Sequence, residues 1–159
     1  REARETYTHT YARETAAERA AANAAIAAEA AKAAHRGDAP HLLHNVGTDL
    51  AEIRSGALAD AIAGGDSVIQ DLVQEAAEAV GVAVVNLVHL LAPDKIVLGG
   101  GLVEAMEDLV VGTVRKTARE SVMSVYRDRF EVVAAKLGDD AGVLGAIAWA
   151  KQEILRKQG

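Results

Sequence analysis

Three consecutive glycines follow a short apolar segment and are the residues best suited to contact a ligand through the main chain. The segment ends at Leu98, the glycines are Gly99, Gly100 and Gly101, and a helical pattern begins at Leu102. Residues without a Cβ let the main chain approach a flat ligand and adopt positive φ, and a following helix offers unpaired N–H groups. The pattern predicts a nucleotide-contacting turn, with tight packing between strand and helix as the alternative.

The histidines are weaker candidates for chemistry. His35, His41 and His44 bracket a loop that contains Pro40, and no acidic residue stands at a spacing that would complete a metal site. We therefore predict no metal at these positions. His89 lies in an apolar helical pattern, which predicts a hydrogen-bonded histidine in the core.

Paired carboxylates and a basic cluster are the remaining polar features. Asp139 and Asp140 could act as an acid and a base, but their place at a helix start favours capping. The basic cluster could bind a phosphate, but a solvated surface is the favoured interpretation. Its residues are Arg115, Lys116, Arg119, Arg127 and Arg129.

Composition limits the classes of protein that need consideration. The 159 residues are 50% hydrophobic and 25% charged, which is typical of one globular unit with a real core. A net charge of -6 argues against direct binding of nucleic acid. With no cysteine, disulfides and Cys-ligated zinc are excluded, and no apolar run has the length of a membrane span. We expect a cytoplasmic protein and, because the chain begins with Arg1, a segment of a longer one.

The helices are predicted from periodicity and from stop signals. An alanine-rich helix is expected from Tyr11 to about His35, ending before Pro40. A second is expected from a cap at Thr48 and Asp49 to Ile62. A third, from Val68 to Leu91, becomes apolar on nearly all sides after Gly81, so its second half is predicted to be buried.

Two strands alternate with the last helices. Strands are predicted from Lys95 to Leu98 and from Phe130 to Ala135, and helices from Leu102 to about Glu120 and from Gly138 to Lys157. The order α-α-α-β-α-β-α predicts an α/β fold with parallel strands, whose ligands gather at the carboxyl ends of the strands. Two strands leave an open sheet edge, so we expect further strands before this segment.

Two runs of residues carry a family resemblance. They are GVAVVNLVHLLAPDKIVLGGGLV, from Gly81 to Val103, and AAKLGDDAGVLGA, from Ala134 to Ala146. Both resemble the C-terminal region of ROK-family sugar kinases and repressors, and the similarity extends back to about Arg36. The resemblance implies the helix-rich C-terminal part of the two-lobed fold that actin-like ATPases and hexokinases share (ribonuclease H-like). It also implies ATP-dependent phosphorylation of glucose or a related hexose.

The resemblance also implies roles for individual residues. Gly99 and Gly100, with Gly101 beside them, match the glycine pair that lies against the adenosine of ATP. Glu18 falls where the family places a glutamate that accepts hydrogen bonds from sugar hydroxyls. The cysteines that precede this glutamate in the family are absent here, so a solvated glutamate on an alanine-rich helix is the alternative.

The same resemblance indicates what these residues do not supply. We find neither the phosphate loop nor the general-base aspartate that such a kinase needs beside Mg²⁺. The chain is therefore expected to supply the adenosine side of the cleft, with a helical part at residues 1–66 and a nucleotide-side lobe at 67–159. A missing N-terminal lobe would be its partner, and the chain alone would be inactive.

Two other functions stay open at this stage. The chain could be the sugar-sensing domain of a ROK-type repressor, whose DNA-binding helices would precede it. It could also be a non-catalytic helical module that serves oligomerisation. A homo-oligomer is expected, and the sequence upstream would discriminate among the three functions.

Overall fold

A computed structural model describes residues 24–158 of the chain. The elements in chain order are α1 (residues 24–36), α2 (Pro40–Val46), α3 (Ser55–Gly64), α4 (Ser67–Leu91), β1 (Lys95–Leu98), α5 (Gly101–Ala105), α6 (Glu107–Ser121), β2 (Glu131–Ala134) and α7 (Ala141–Gln158). Short 3₁₀ turns occupy Ser124–Tyr126 and Gly138–Asp140. Within these residues, no helix is long and apolar enough to cross a membrane.

The two strands pair in parallel, as the alternation of elements predicts. Lys95 lies opposite Glu131 and Leu98 lies opposite Ala134. An ion pair between Lys95 Nζ and Glu131 Oε2, at 3.1 Å, closes the amino end of the ladder. The carboxyl ends of both strands therefore lie side by side, and each is followed by a glycine-containing turn.

The core forms mainly between the long helix α4 and helix α6. One face of each is apolar and buried, from Val73 to Val88 on α4 and from Val110 to Ala118 on α6. At their crossing, a Cβ added at Gly81 would lie 2.6 Å from Thr117 Cβ. The absence of a side chain at Gly81 thus lets the two helices approach closely.

The second half of α4 is not buried on all sides, which corrects the prediction. Val84, Val85 and Val88 face the core, whereas Leu90 is 79% exposed and Leu91 is 67% exposed. An apolar helix is covered only where another element packs against it, and α6 covers one face.

The region before α4 also differs from its prediction. The chain forms helix α2 from Pro40, where the sequence indicated a stop, because proline is well suited to the first position of a helix. The predicted helix from Thr48 begins only at Ser55. Asp49 does not cap it: its carboxylate accepts a hydrogen bond from Ala51 N at 2.9 Å and forms a local turn instead.

The helix predicted from Leu102 to Glu120 is two helices. The main chain at Met106 leaves the helical region, with φ −144° and ψ 51°, and separates α5 from α6. Because of this break and the additional helix α2, the observed order is α-α-α-α-β-α-α-β-α.

The predicted first helix is present as α1. In it, Lys32 lies 2.7 Å from Glu29 and lowers the pKa of that carboxyl by hydrogen bonding and by its charge. Residues 11–23 of that prediction lie outside the described part.

Candidate functional site

The glycine turn lies at the carboxyl end of β1 and is open on one side. Gly100 has φ +112°, a conformation that side-chain-bearing residues rarely adopt. Apart from Gly100 and its two neighbours in the chain, no heavy atom of the described residues lies within 4 Å of the position that a Cβ on Gly100 would take. Gly99 instead faces β2, since its Cβ would lie 3.3 Å from Ala135 Cβ. A ligand can therefore approach the main chain at Gly100 without meeting a side chain of residues 24–158.

A cavity of about 410 Å³ adjoins this turn. Helices α1 and α3, the loop between α2 and α3, and the start of α5 form its wall, with these lining residues: Ala24, Ile26, Ala27, Leu50, Ile53, Arg54, Ser55, Leu58, Gly101 and Leu102. Its size falls within the range of about 300–1,000 Å³ for small-molecule sites. The mostly apolar wall suits a flat ring system.

Two polar side chains belong to the cavity wall, and sequence reasoning did not single them out. Arg54 precedes α3, and its Nε donates a hydrogen bond to the main-chain oxygen of Ala51 at 3.0 Å. Ser55 is the first residue of α3 and contacts Gly101: a Cβ added at Gly101 would lie 2.8 Å from Ser55 Oγ. The sequence did contain a signal for them, because the run Arg54-Ser55-Gly56 lies within the segment that resembles the ROK family, which extends back to about Arg36.

The turn after β2 lies beside the same region. Asp139 and Asp140 belong to the 3₁₀ turn that precedes α7. A Cβ added at Gly138 would lie 3.5 Å from Glu104 Oε1 of α5. The structure thus brings the two strand-end turns together around α5.

Part of the basic cluster lies at the other end of the sheet. Arg119 and Arg129 border a surface depression at the amino ends of the strands, where Asp94 and Asp128 balance their charge. Arg115 donates a hydrogen bond to the main-chain oxygen of Val132 at 2.9 Å. All five basic residues are exposed, so the favoured interpretation of a solvated surface fits their placement.

The histidines do not converge on a metal site in the described chain, where no group of three or more potential ligands could hold an ion. The ring of His41 packs against Gly64. His89 is exposed, so the prediction of a core position is wrong; its Nε2 does accept a hydrogen bond, from Met123 N at 3.1 Å. His89 also contacts Tyr126, with ring centroids 5.9 Å apart.

Glu18, the candidate sugar-binding residue, lies outside the described residues.

The sequence matches a family model described as the ROK family over residues 12–153. The chain belongs to the ROK family. The match includes the segment of the glycine turn, the strand-end turns and every element that lines the cavity. The ROK resemblance of the two runs quoted above is therefore confirmed.

Glucokinases are among the relatives of this ROK chain. It is 32% identical over 97 residues to a glucokinase from Thermotoga maritima, an alignment that covers 61% of this chain and 30% of the relative. A glucokinase from Streptomyces coelicolor is 35% identical over 89 residues, covering 55% of this chain and 28% of the relative. The chain thus matches less than a third of the length of these relatives.

A solved structure confirms the fold class. A ROK family glucokinase from Streptomyces griseus, in complex with glucose and AMPPNP, superposes with a TM-score of 0.69 at 29% identity. The superposition covers 82% of this chain and 41% of the glucokinase. The chain therefore has the helix-rich part of the ROK sugar kinase fold, with a small parallel sheet.

Proposed function

We propose that this chain forms the adenosine side of the active-site cleft in an ATP-dependent glucose kinase. The observation that carries the proposal is the open turn at Gly100, which adjoins the apolar cavity at the carboxyl end of β1. Ligands of parallel α/β sheets bind at this end of the strands. The named relatives are glucokinases and favour a kinase over a repressor or a purely structural module.

The chemistry of the site fits a nucleotide. The apolar wall offers contact to a purine ring, while the main chain at Gly100 allows the sugar or the first phosphate to come close. Arg54, at the cavity, carries a charge of the sign that phosphate requires. Residues from both 1–66 and 67–159 line the cavity, so we propose that these two parts form one nucleotide site.

Phosphoryl transfer requires further groups. Mg²⁺ would arrive with ATP and neutralise the charge that develops on the phosphates. A general base and a phosphate loop would come from a partner lobe, and Glu18 would accept hydrogen bonds from the sugar hydroxyls. In this division the described part of the chain binds and orients the nucleotide, and the chemical step takes place between this part and the partner lobe.

The test is the activity of the complete protein that contains this chain. We expect release of ADP from ATP to depend on glucose and to stop when EDTA removes Mg²⁺. Glu18→Ala should raise the KM for glucose with little change in the KM for ATP. Glutamates on the exposed surface give the control: Glu75→Ala, on α4, should leave both constants unchanged.

Three other outcomes would contradict the proposal. Binding of operator DNA controlled by a sugar, without phosphoryl transfer, would favour the repressor. Neither nucleotide binding nor DNA binding, in a protein that assembles, would favour the oligomerising module. Turnover of ATP with a substrate other than a hexose would be compatible with the proposed nucleotide site but would contradict a hexose as the substrate.

A further inference from the structure

Ser55 lies between the cavity and the glycine turn. It is half-buried at the start of α3, and its side chain belongs to the cavity wall. A Cβ added at Gly101 would lie 2.8 Å from Ser55 Oγ and 3.5 Å from Ser55 Cβ. The first distance is shorter than a contact allows and the second is an ordinary one. The Ser55 hydroxyl therefore occupies the space that a side chain at Gly101 would need.

The rest of the cavity wall gives this hydroxyl its importance. Among the described residues, ten line the cavity; seven of them have apolar side chains, and Gly101 has none. Of the other two, Arg54 is exposed and its Nε donates to the loop oxygen of Ala51. In the described part of this wall, Ser55 therefore supplies the one neutral hydrogen-bonding side chain. In small-molecule sites, a few such polar groups fix the orientation of the ligand.

We propose that Ser55 is a nucleotide-binding residue that determines the specificity of this cavity for a nucleoside. The inference rests on the proposed function. A hydroxyl both donates and accepts, so it matches a ribose hydroxyl or a ring nitrogen of the base. When a ligand that lacks this partner covers the apolar wall, the hydroxyl is left unpaired and the ligand binds more weakly.

Gly101 is linked to Ser55 by the same contact. Unlike Gly100, Gly101 is helical and does not have positive φ, so its main chain accepts alanine without strain. The added methyl group would instead meet Ser55 Oγ and force the hydroxyl to rotate away. Gly101→Ala and Ser55→Ala should thus remove the same hydrogen bond to the nucleotide, one by displacement and the other by deletion.

The experiment measures the KM for ATP and for glucose, with kcat, in the complete protein. We expect Ser55→Ala and Gly101→Ala each to raise the KM for ATP about 3- to 10-fold, because each variant loses one hydrogen bond to the nucleotide. The double variant should be no worse than either single one, and the KM for glucose should stay within about twofold. Ser55→Thr retains the hydroxyl and should retain most of the affinity for ATP.

Ser67→Ala is the matched control. Ser67 is likewise the first residue of its helix, α4, but it is exposed and does not line the cavity. The change should leave both KM values unchanged. Thermal unfolding of every variant separates loss of the hydrogen bond from loss of the fold.

Two results would overturn the role of Ser55 while leaving the proposed function intact. One is an active enzyme in which Ser55→Ala has the KM for ATP of the wild type. The other is full rescue of Gly101→Ala by Ser55→Ala, which would make the contact a steric one only. A wild-type protein that binds no nucleotide would overturn both the proposed function and this inference.

Discussion

The carboxylate of Asp66 accepts a hydrogen bond from the main-chain nitrogen of Leu42 at 2.8 Å. Its other oxygen accepts one from His41 N at 3.2 Å. Asp66 is 2% exposed and lies at the turn between α3 and α4, whereas Leu42 is in the first turn of α2. A buried carboxylate thus caps α2 from a distant part of the chain and compensates for the missing cap at Ala39.

Replacement of Asp66 should therefore destabilise the fold. Asp66→Ala leaves two N–H groups without an acceptor, and we expect the free energy of unfolding to fall by about 2–3 kcal/mol. Asp66→Asn, which keeps one acceptor oxygen, should cost less. Chemical denaturation measures both. Asp49→Ala is the control, because Asp49 accepts its hydrogen bond in an exposed turn; an equal loss there would contradict the importance of burial.

A side chain at Gly81 should separate α4 from α6. An added Cβ would lie 2.6 Å from Thr117 Cβ and 3.3 Å from the main-chain oxygen of Val114, so Gly81→Ala overpacks the crossing. The expected loss is about 1–3 kcal/mol, measured as a lower Tm and a lower denaturant midpoint. Gly112→Ala, on α6 with open space around it, should stabilise instead, by up to about 1 kcal/mol. Equal Tm values for the two variants would show that the helices adjust freely.

Gly100→Val tests the turn itself. In the complete protein we expect the KM for ATP to rise far more than the KM for glucose, because valine cannot easily adopt φ +112° and would fill the open side. Gly37→Val carries the same kind of strain, at φ +85°, in a turn after α1 that does not line the cavity. It should lower stability without a selective effect on ATP. Equal changes in both KM values for Gly100→Val would indicate general misfolding.

The chain studied without a partner lobe should bind nucleotide weakly and associate. One side of the cleft leaves most of a nucleotide in water, so we expect no micromolar affinity for ATP by calorimetry. Leu90, Leu91 and Trp149 are more than 60% exposed, and such apolar surface favours association. Light scattering at micromolar concentration should report species larger than a monomer.

A variant pair makes the association test specific. Leu90→Glu should shift the chain toward the monomer, whereas Gln70→Glu, on the exposed surface of the same helix, should not. A wild-type chain that is monomeric and unfolds cooperatively would instead identify a self-sufficient domain.

Local sequence patterns were sufficient to predict most of the helices and both strands. Alternating strand and helix patterns predicted the parallel pairing of β1 with β2, and the helical period predicted α4 to within one residue at its start. The glycine turn and the ROK resemblance also followed from residues adjacent in the chain. The helices, the strands and the glycine turn depend on neighbours in sequence, and the parallel pairing follows from the general rule for a strand–helix–strand connection.

The residues of the candidate cavity come together only through packing. Ser55 and Gly101 belong to different elements, and no local pattern indicates that they touch. Helix α2 escaped prediction because Pro40 indicated a stop, and the cap that stabilises the helix start comes from Asp66, 24 residues away. The exposed face of α4 differed from its pattern because burial depends on which helix packs against it. Contacts between distant residues arise from packing, and the sequence of one segment does not specify its partner.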